Sequence, residues 1–294
     1  MEGLSLTTFW LALGLTAAAV VFYWGYSFGV RVAVRRLATD GDGGMTVATF
    51  ERLPEPLGRL GSLATWAAAA FLAVSLFARW RAVGHAPWSN MWEFTVAFAG
   101  GILLFYIVFE RRYGQRALGA FILPVVLALL AVAAAFFPSD VQPLVPALQN
   151  QDLLAIHVAM MVLAYSALSV SFGTGVMYLL QGEKNRFPRL PKATLLDEIG
   201  YRSVMVGLPL LAVGIALGAY WGNSAWGRYW GWDPKETSAL VTWLIYAGYM
   251  HTRGLRGWTG TRAAVILVLG FLAVIFTFFV VNLWVSGLHS YAGV

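Results

Sequence analysis

Residues 262–286 read RAAVILVLGFLAVIFTFFVVNLWVS. After Arg262 no charged side chain occurs as far as Ser286. A helix of about 20 apolar residues is about 30 Å long, the thickness of bilayer hydrocarbon. The surrounding chain is of the same kind: 59% hydrophobic and only 12% charged. The solvent for most of this protein is therefore lipid. Hydrocarbon offers the backbone no hydrogen-bond partner, so runs of this type satisfy themselves as helices.

Working outward, seven further runs have spanning length. The expected spans are 8–30, 61–80, 92–109, 117–137, 153–181, 203–221, 235–251 and 262–286. The expected fold class is all-α: a polytopic integral membrane protein of about eight transmembrane helices with both termini on the extracytoplasmic side. The loops test that count. Segments 31–60, 110–116, 182–202 and 252–262 carry sixteen of the chain's twenty basic residues, leaving Arg79, Arg81, Arg228 and Lys235 for the other side. Basic loops stay cytoplasmic, and a miscounted span would scramble the asymmetry. The first run is read as a retained span, because Glu2 stands where a signal peptide has basic residues and Arg31, Arg35 and Arg36 follow the run. The net charge of +6 is thus an orientation signal, and no nucleic acid is expected as a partner. Gly41 to Gly44 and Leu53 to Pro56 mark a flexible inner loop, and 192–202 reads as a short inner surface helix. Cysteine is absent, which excludes disulfides and thiolate metal sites. Its absence fits chance, and it also fits a protein that handles the reactive thiols of another chain.

Between the sixth and seventh spans, residues 221–236 read WGNSAWGRYWGWDPKE. Asp233, Pro234 and Glu236 form a helix start: an N-cap, a proline at the first position and a capping box. Tryptophans at a membrane interface need no special explanation when there are one or two. Here Trp221, Trp226, Trp230 and Trp232 fall within twelve residues and are spaced by Gly222, Gly227 and Gly231. Glycines allow a flat ligand to approach the backbone closely, and indoles supply a large apolar surface. Arg228 offers a guanidinium for carboxylates. A planar, apolar macrocycle with a metal to coordinate suits this segment, and that description fits heme.

The chain has four histidines. A histidine in a membrane helix is often an interhelical hydrogen-bond donor. His157 near the start of the fifth span and His289 after the eighth lie on the side of the aromatic segment. Together they can serve as two axial ligands of one heme iron, each with its second ring nitrogen fixed by an acceptor. His251 ends the seventh span near the opposite face and either stabilises a helix C-terminus beside Arg253 or ligates a second metal. His85 reads as a loop residue.

The segment 221–236 resembles the tryptophan-rich WWD signature of heme-handling proteins. Its flanks are similar to the CcsA (ResC) family of system II cytochrome c biogenesis. Agreement extends to Gly84 through Glu93, His157 to Met161 with Ala164 and Tyr165, Thr242 to Tyr246, His251 to Arg253, Gly257 to Gly260, and Gly287 to Tyr291. It covers the chain from about residue 80. The resemblance implies an N-terminal two-helix region, 1–80, and a heme-handling membrane domain, 81–294, with the external loop 221–236. It implies heme b held outside by His157 and His289, with Trp221, Gly222, Trp226, Gly227, Arg228, Trp230, Trp232 and Asp233 around it, and an inner heme on His251. It further implies attachment of heme to the thiols of a Cys-x-x-Cys-His segment in apocytochrome c, and a membrane partner, CcsB (ResB), supplying the second inner ligand. The setting implied is the bacterial cytoplasmic membrane, with the reaction on the periplasmic or extracytoplasmic face. The alternative is a heme exporter or delivery protein without ligase activity. A small-solute permease would carry polar groups midway through several spans, and few are present. No general acid or base is assigned, since joining a thiol to a vinyl group is largely a matter of proximity.

Overall fold

The computed structural model describes residues 1–29, 32–39, 45–52, 55–140 and 151–289. Apart from one strand pair the chain is a helical membrane protein: α1 Glu2–Phe28, α2 Glu55–Val83, α3 Met91–Tyr113, α4 Gly119–Phe136, α5 Gln151–Gln181, α6 Ala193–Trp226, α7 Pro234–Arg256 and α8 Thr261–Ile275. Beyond α8 the chain continues through a π-helical turn, Phe276–Val280, and a last helical turn, Val281–Trp284. Between α1 and α2 lies an antiparallel pair, β1 Val32–Thr39 and β2 Met45–Arg52, in register from Val32 opposite Arg52 to Thr39 opposite Met45. The expected glycine turn at 41–44, with Leu53 and Pro54, lies outside the described residues.

Seven stretches among the described residues are long and apolar enough to cross a membrane: α1, α2, α3, Arg116–Phe136, α5, α6 and Thr261–Trp284. The eighth long helix, α7, has 23 residues and so about 34 Å of length. It is less apolar because Lys235, Glu236, Arg253 and Arg256 weight its ends. Large apolar side chains such as Trp10, Val21, Leu63, Phe77 and Val108 are exposed on the outside of the bundle. In water that surface would drive association; in lipid it is the solvated face.

The two longest helices, α5 and α6, pack tightly against each other. Gly200, Gly207 and Gly214 recur every seven residues on α6. A Cβ at these positions would fall 2.9 Å from Thr174 Oγ1, 2.7 Å from Leu168 Cδ2 and 2.6 Å from Met161 Sδ, all on α5. Seven residues are two helical turns, so the glycines share one seam. Lipid gives no hydrophobic drive for helix association, and close backbone approach at small residues supplies dispersion contact instead. The next position of the series is Trp221.

Two departures from the sequence reading concern α6. Residues 193–202 are its first turns, not a separate surface helix, because Leu196, Ile199 and Ser203 continue the buried stripe without a break. At the other end α6 runs on to Trp226 and stops at Gly227, whose φ of 72° is left-handed. Trp221 and Trp226 therefore stand on a helix, and the irregular segment is only 227–233.

Arg79, read as an outer-loop residue, is fully buried. Its Nε donates to Glu93 Oε1 at 2.8 Å and its guanidinium also donates to the Asp140 carbonyl at 3.0 Å. Glu93 Oε2 accepts from the Ser89 amide at 2.8 Å and the Ser89 hydroxyl at 2.7 Å. A buried charge survives only when paired and hydrogen-bonded in this way. The pair ties the end of α2 to the start of α3. At the opposite end of the bundle Glu110 accepts from Tyr23 at 2.7 Å and from Ser62, joining α1, α2 and α3.

Candidate functional site

The start of α5, the end of α6, the start of α7 and the segment after α8 meet at one end of the bundle. They enclose a cavity of about 980 Å³, its open mouth included. His157 and His289 both line it, with Phe94, Met161, Tyr165, Trp221, Trp230 and Phe278 among the walls.

His157 is set by the glycine seam. Its Nδ1 lies 2.8 Å from the Gly214 carbonyl. A carbonyl only accepts, so Nδ1 carries the proton and Nε2 the lone pair in the neutral ring. One turn further on, a Cβ at Gly218 would fall 2.6 Å from His157 Cε1. Gly218 thus opens the slot in which the ring sits. The imidazole lies parallel to Trp221, with planes 4° apart and ring centroids 6.4 Å apart. Trp221 is 1% exposed, and its Nε1 has no hydrogen-bond partner among the described residues.

His289 is held by Asp233. Its Nδ1 lies 2.7 Å from Asp233 Oδ2, and the Leu288 amide donates to Asp233 Oδ1 at 2.6 Å. The same carboxylate caps α7 by accepting from the Lys235 amide at 3.1 Å. Gly287 is required here, since a Cβ would fall 2.5 Å from Asp233 Oδ1. Burial opposes the charge on Asp233, but the hydrogen bonds from His289, Leu288 and Lys235 outweigh it and hold the carboxyl below its ordinary range. Trp226 connects the two imidazoles: its ring is edge-on to His289 at 4.8 Å and edge-on to Trp221 at 4.8 Å.

The turn 227–233 is closed by Glu236. Its Oε2 accepts from the Gly231 amide at 2.9 Å and the Asp233 amide at 3.0 Å, completing the capping box. Within the turn Trp232 adopts a φ of 56°, a left-handed conformation costly for a bulky residue. It is 70% exposed and packs edge-on to Trp230 at 5.7 Å.

Of the residues singled out in the sequence, Trp221, Trp230, His157 and His289 line the cavity. Trp226 stands behind them, with Gly222 beneath its ring. Asp233 acts on His289 and does not line the cavity. Arg228 is exposed, and a Cβ at Gly231 would fall 2.6 Å from its Nε; it lies along the turn and away from the cavity. Gly227 ends α6. His251 is exposed on α7, about 24 Å along the axis from Lys235. His85 has its Nδ1 2.9 Å from the Ala86 carbonyl and is not part of the cavity.

Lys235 is the residue the sequence reading missed. It was counted as an outer-loop charge, yet it lines the cavity, and its ammonium donates to the Thr277 carbonyl at 2.9 Å and Asn282 Oδ1 at 2.8 Å. A signal was present in the sequence. A cation in the first turn of a helix opposes the helix dipole, so a lysine there needs another reason.

Among the described residues no group of three or more His, Cys, Asp or Glu side chains is placed to hold a metal. Two imidazoles facing one apolar cavity suit a metal that brings its other ligands with it, as a tetrapyrrole iron does. The acceptors on both Nδ1 atoms, the apolar walls and the buried, unbonded Trp221 Nε1 are compatible with such a group.

The family model described as cytochrome C assembly protein matches residues 88–289. The cytochrome c biogenesis protein CcsA of Guillardia theta is 37% identical, over 75% of this chain and 81% of that one. CcsA of Trichormus variabilis is 35% identical, over 83% of this chain and 91% of that one. CcsA of Chlamydomonas reinhardtii is 38% identical, over 75% of this chain but 65% of its own longer length. Among solved structures, one titled cytochrome c heme lyase CcmF superposes with a TM-score of 0.64 at 20% identity. It covers 95% of this chain, which spans 46% of that protein, so the likeness is one of fold.

Proposed function

The chain belongs to the cytochrome c assembly protein family and within it to the CcsA group, and from that premise we propose that it holds heme b between His157 and His289 and presents it for covalent attachment to apocytochrome c. The observation that carries this reading is that both imidazoles line one cavity, each with Nδ1 on an acceptor. The chain's membrane character and its family's role in cytochrome c biogenesis set the context.

Each residue then has a task. Gly214 and Gly218 seat and orient His157. Asp233 orients His289 and makes its ring a better donor to iron. The heme supplies two vinyl groups, to which the thiols of a Cys-x-x-Cys-His segment add. The protein's part is to hold one reactant still while the peptide docks at the cavity mouth, a proximity effect. In this reading the cavity end lies on the extracytoplasmic side of a bacterial cytoplasmic membrane, with eight spans and both termini outside, and the asymmetry of the basic loops supports that orientation. The chain up to residue 80 forms a two-helix region and 81–294 the heme-handling domain. His251 faces outward at the other end and is the ligand of an inner heme whose second ligand comes from a CcsB-type partner.

The test is reconstitution. The full chain with a CcsB-type partner, supplied with heme and an apocytochrome, forms cytochrome with covalently attached heme. A complex that carries heme across a vesicle membrane but never yields covalent heme would replace this reading with export.

A further inference from the structure

Lys235 lies in the cavity wall, where the charge of Asp233 acts on it from beyond ion-pair distance. Among the described residues no carboxylate oxygen lies within 4.0 Å of its ammonium. Its two acceptors, the Thr277 carbonyl and Asn282 Oδ1, are neutral. The acidic residues nearest in sequence are committed elsewhere: Asp233 to His289, Leu288 and the Lys235 amide, Glu236 Oε2 to the Gly231 and Asp233 amides. An ammonium has three N–H donors, so one remains after these two bonds. A part-buried cation whose ammonium lies 6.0 Å from the Phe278 ring centroid gains a charge-assisted hydrogen bond when an anion reaches it.

We infer that Lys235 recognises a carboxylate of the bound tetrapyrrole and so selects which edge of the macrocycle enters the cavity at the first turn of α7. The inference rests on the heme site proposed above and deepens it. A heme is apolar apart from its metal and its two propionates, so a cation in this wall has one chemical complement on that ligand. Arg228, the cation that sequence alone suggested for the purpose, is exposed and stands outside the cavity. The vinyl groups lie on the edge away from the propionates. Holding the carboxylate edge at Lys235 directs the reactive edge away from α7.

The full chain in detergent is titrated with iron protoporphyrin IX and, separately, with its dimethyl ester, following the Soret band. The wild type binds the diester at least about tenfold more weakly, since a charge-assisted hydrogen bond is lost. Lys235→Met binds the two compounds within about threefold of each other, and Lys235→Arg keeps the wild-type preference. Equal binding of both compounds by the wild type, or an undiminished preference in Lys235→Met, overturns the inference. A purely structural lysine would weaken both compounds alike and leave the preference intact. If Lys235→Met does not fold, the wild-type comparison and Lys235→Arg decide. Failure of the wild type to bind either porphyrin overturns the heme site itself.

Discussion

The imidazole of His157 and the indole of Trp221 lie parallel, 4° apart in plane and 6.4 Å between centroids. The lone pair of a ring nitrogen lies in the ring plane. His157 Nε2 therefore points along the face of Trp221 and not into it. The tryptophan braces the ligand ring on one side while the Gly214 carbonyl holds it from another. The indole first read as a bed for a flat ligand has its face turned to the histidine, and Trp230 is the other tryptophan in the cavity lining.

His157→Ala and His289→Ala are each expected to abolish covalent heme attachment, with partial recovery on addition of imidazole to fill the vacated position. Heme staining of the cytochrome product is the measurement. Full activity in both variants removes the ligand roles.

Asp233→Ala takes the acceptor from His289 and from the Leu288 amide together. Loss of such an outer partner weakens a ligand by roughly 10–100-fold. Heme titration of the variant is expected to show that drop, with the six-coordinate spectrum restored by imidazole. Asp233→Asn keeps an acceptor oxygen and falls between. Unaltered affinity in Asp233→Ala would show that His289 needs no such support.

A methyl group at Gly218 would meet the His157 ring at 2.6 Å. Gly218→Ala is expected to cost the six-coordinate heme spectrum while the protein remains extractable and helical. Gly14→Ala, on α1 with nothing within 4 Å of the new Cβ, is the control. It leaves heme unchanged and raises stability slightly, by about 0.5–1 kcal/mol from helix propensity. Equal effects from the two substitutions would remove the steric account.

Removing one partner of a buried ion pair costs about 3–5 kcal/mol. Arg79→Met, which strands the fully buried Glu93, is expected to lower the thermal transition measured by circular dichroism. Arg79→Met combined with Glu93→Gln recovers part of it. A single variant as stable as the wild type would show the pair to be dispensable.

His251 is exposed on α7. His251→Ala is expected to leave the spectrum of heme at His157 and His289 unchanged in the isolated chain, and to reduce the heme content of the complex with its partner. Unchanged heme in the complex would return His251 to a helix-terminus role.

Much of the architecture was legible because lipid imposes a simple rule: a run without charges must be a helix of a certain length. The helix start at Asp233, Pro234 and Glu236 was legible for a local reason, since caps act within a few residues. The end of α6 was not. The tryptophans and glycines of 221–227 read as a loop, yet the helix persists to Trp226 because one face of it stays buried against α5 and the cavity. The double duty of Asp233, capping α7 and gripping a segment 55 residues later, has no local signature.

Hydropathy, charge asymmetry and residue type were enough to establish a helical membrane protein and to single out His157, His289 and the indoles, because these depend on composition and spacing along one chain. Three-dimensional packing alone decided which of them share a cavity. It turned Arg228 outward and Lys235 inward, and it gave each imidazole its acceptor. Contacts between helices far apart in the chain set those outcomes, and a one-dimensional pattern carries no record of which side chain another helix has already claimed.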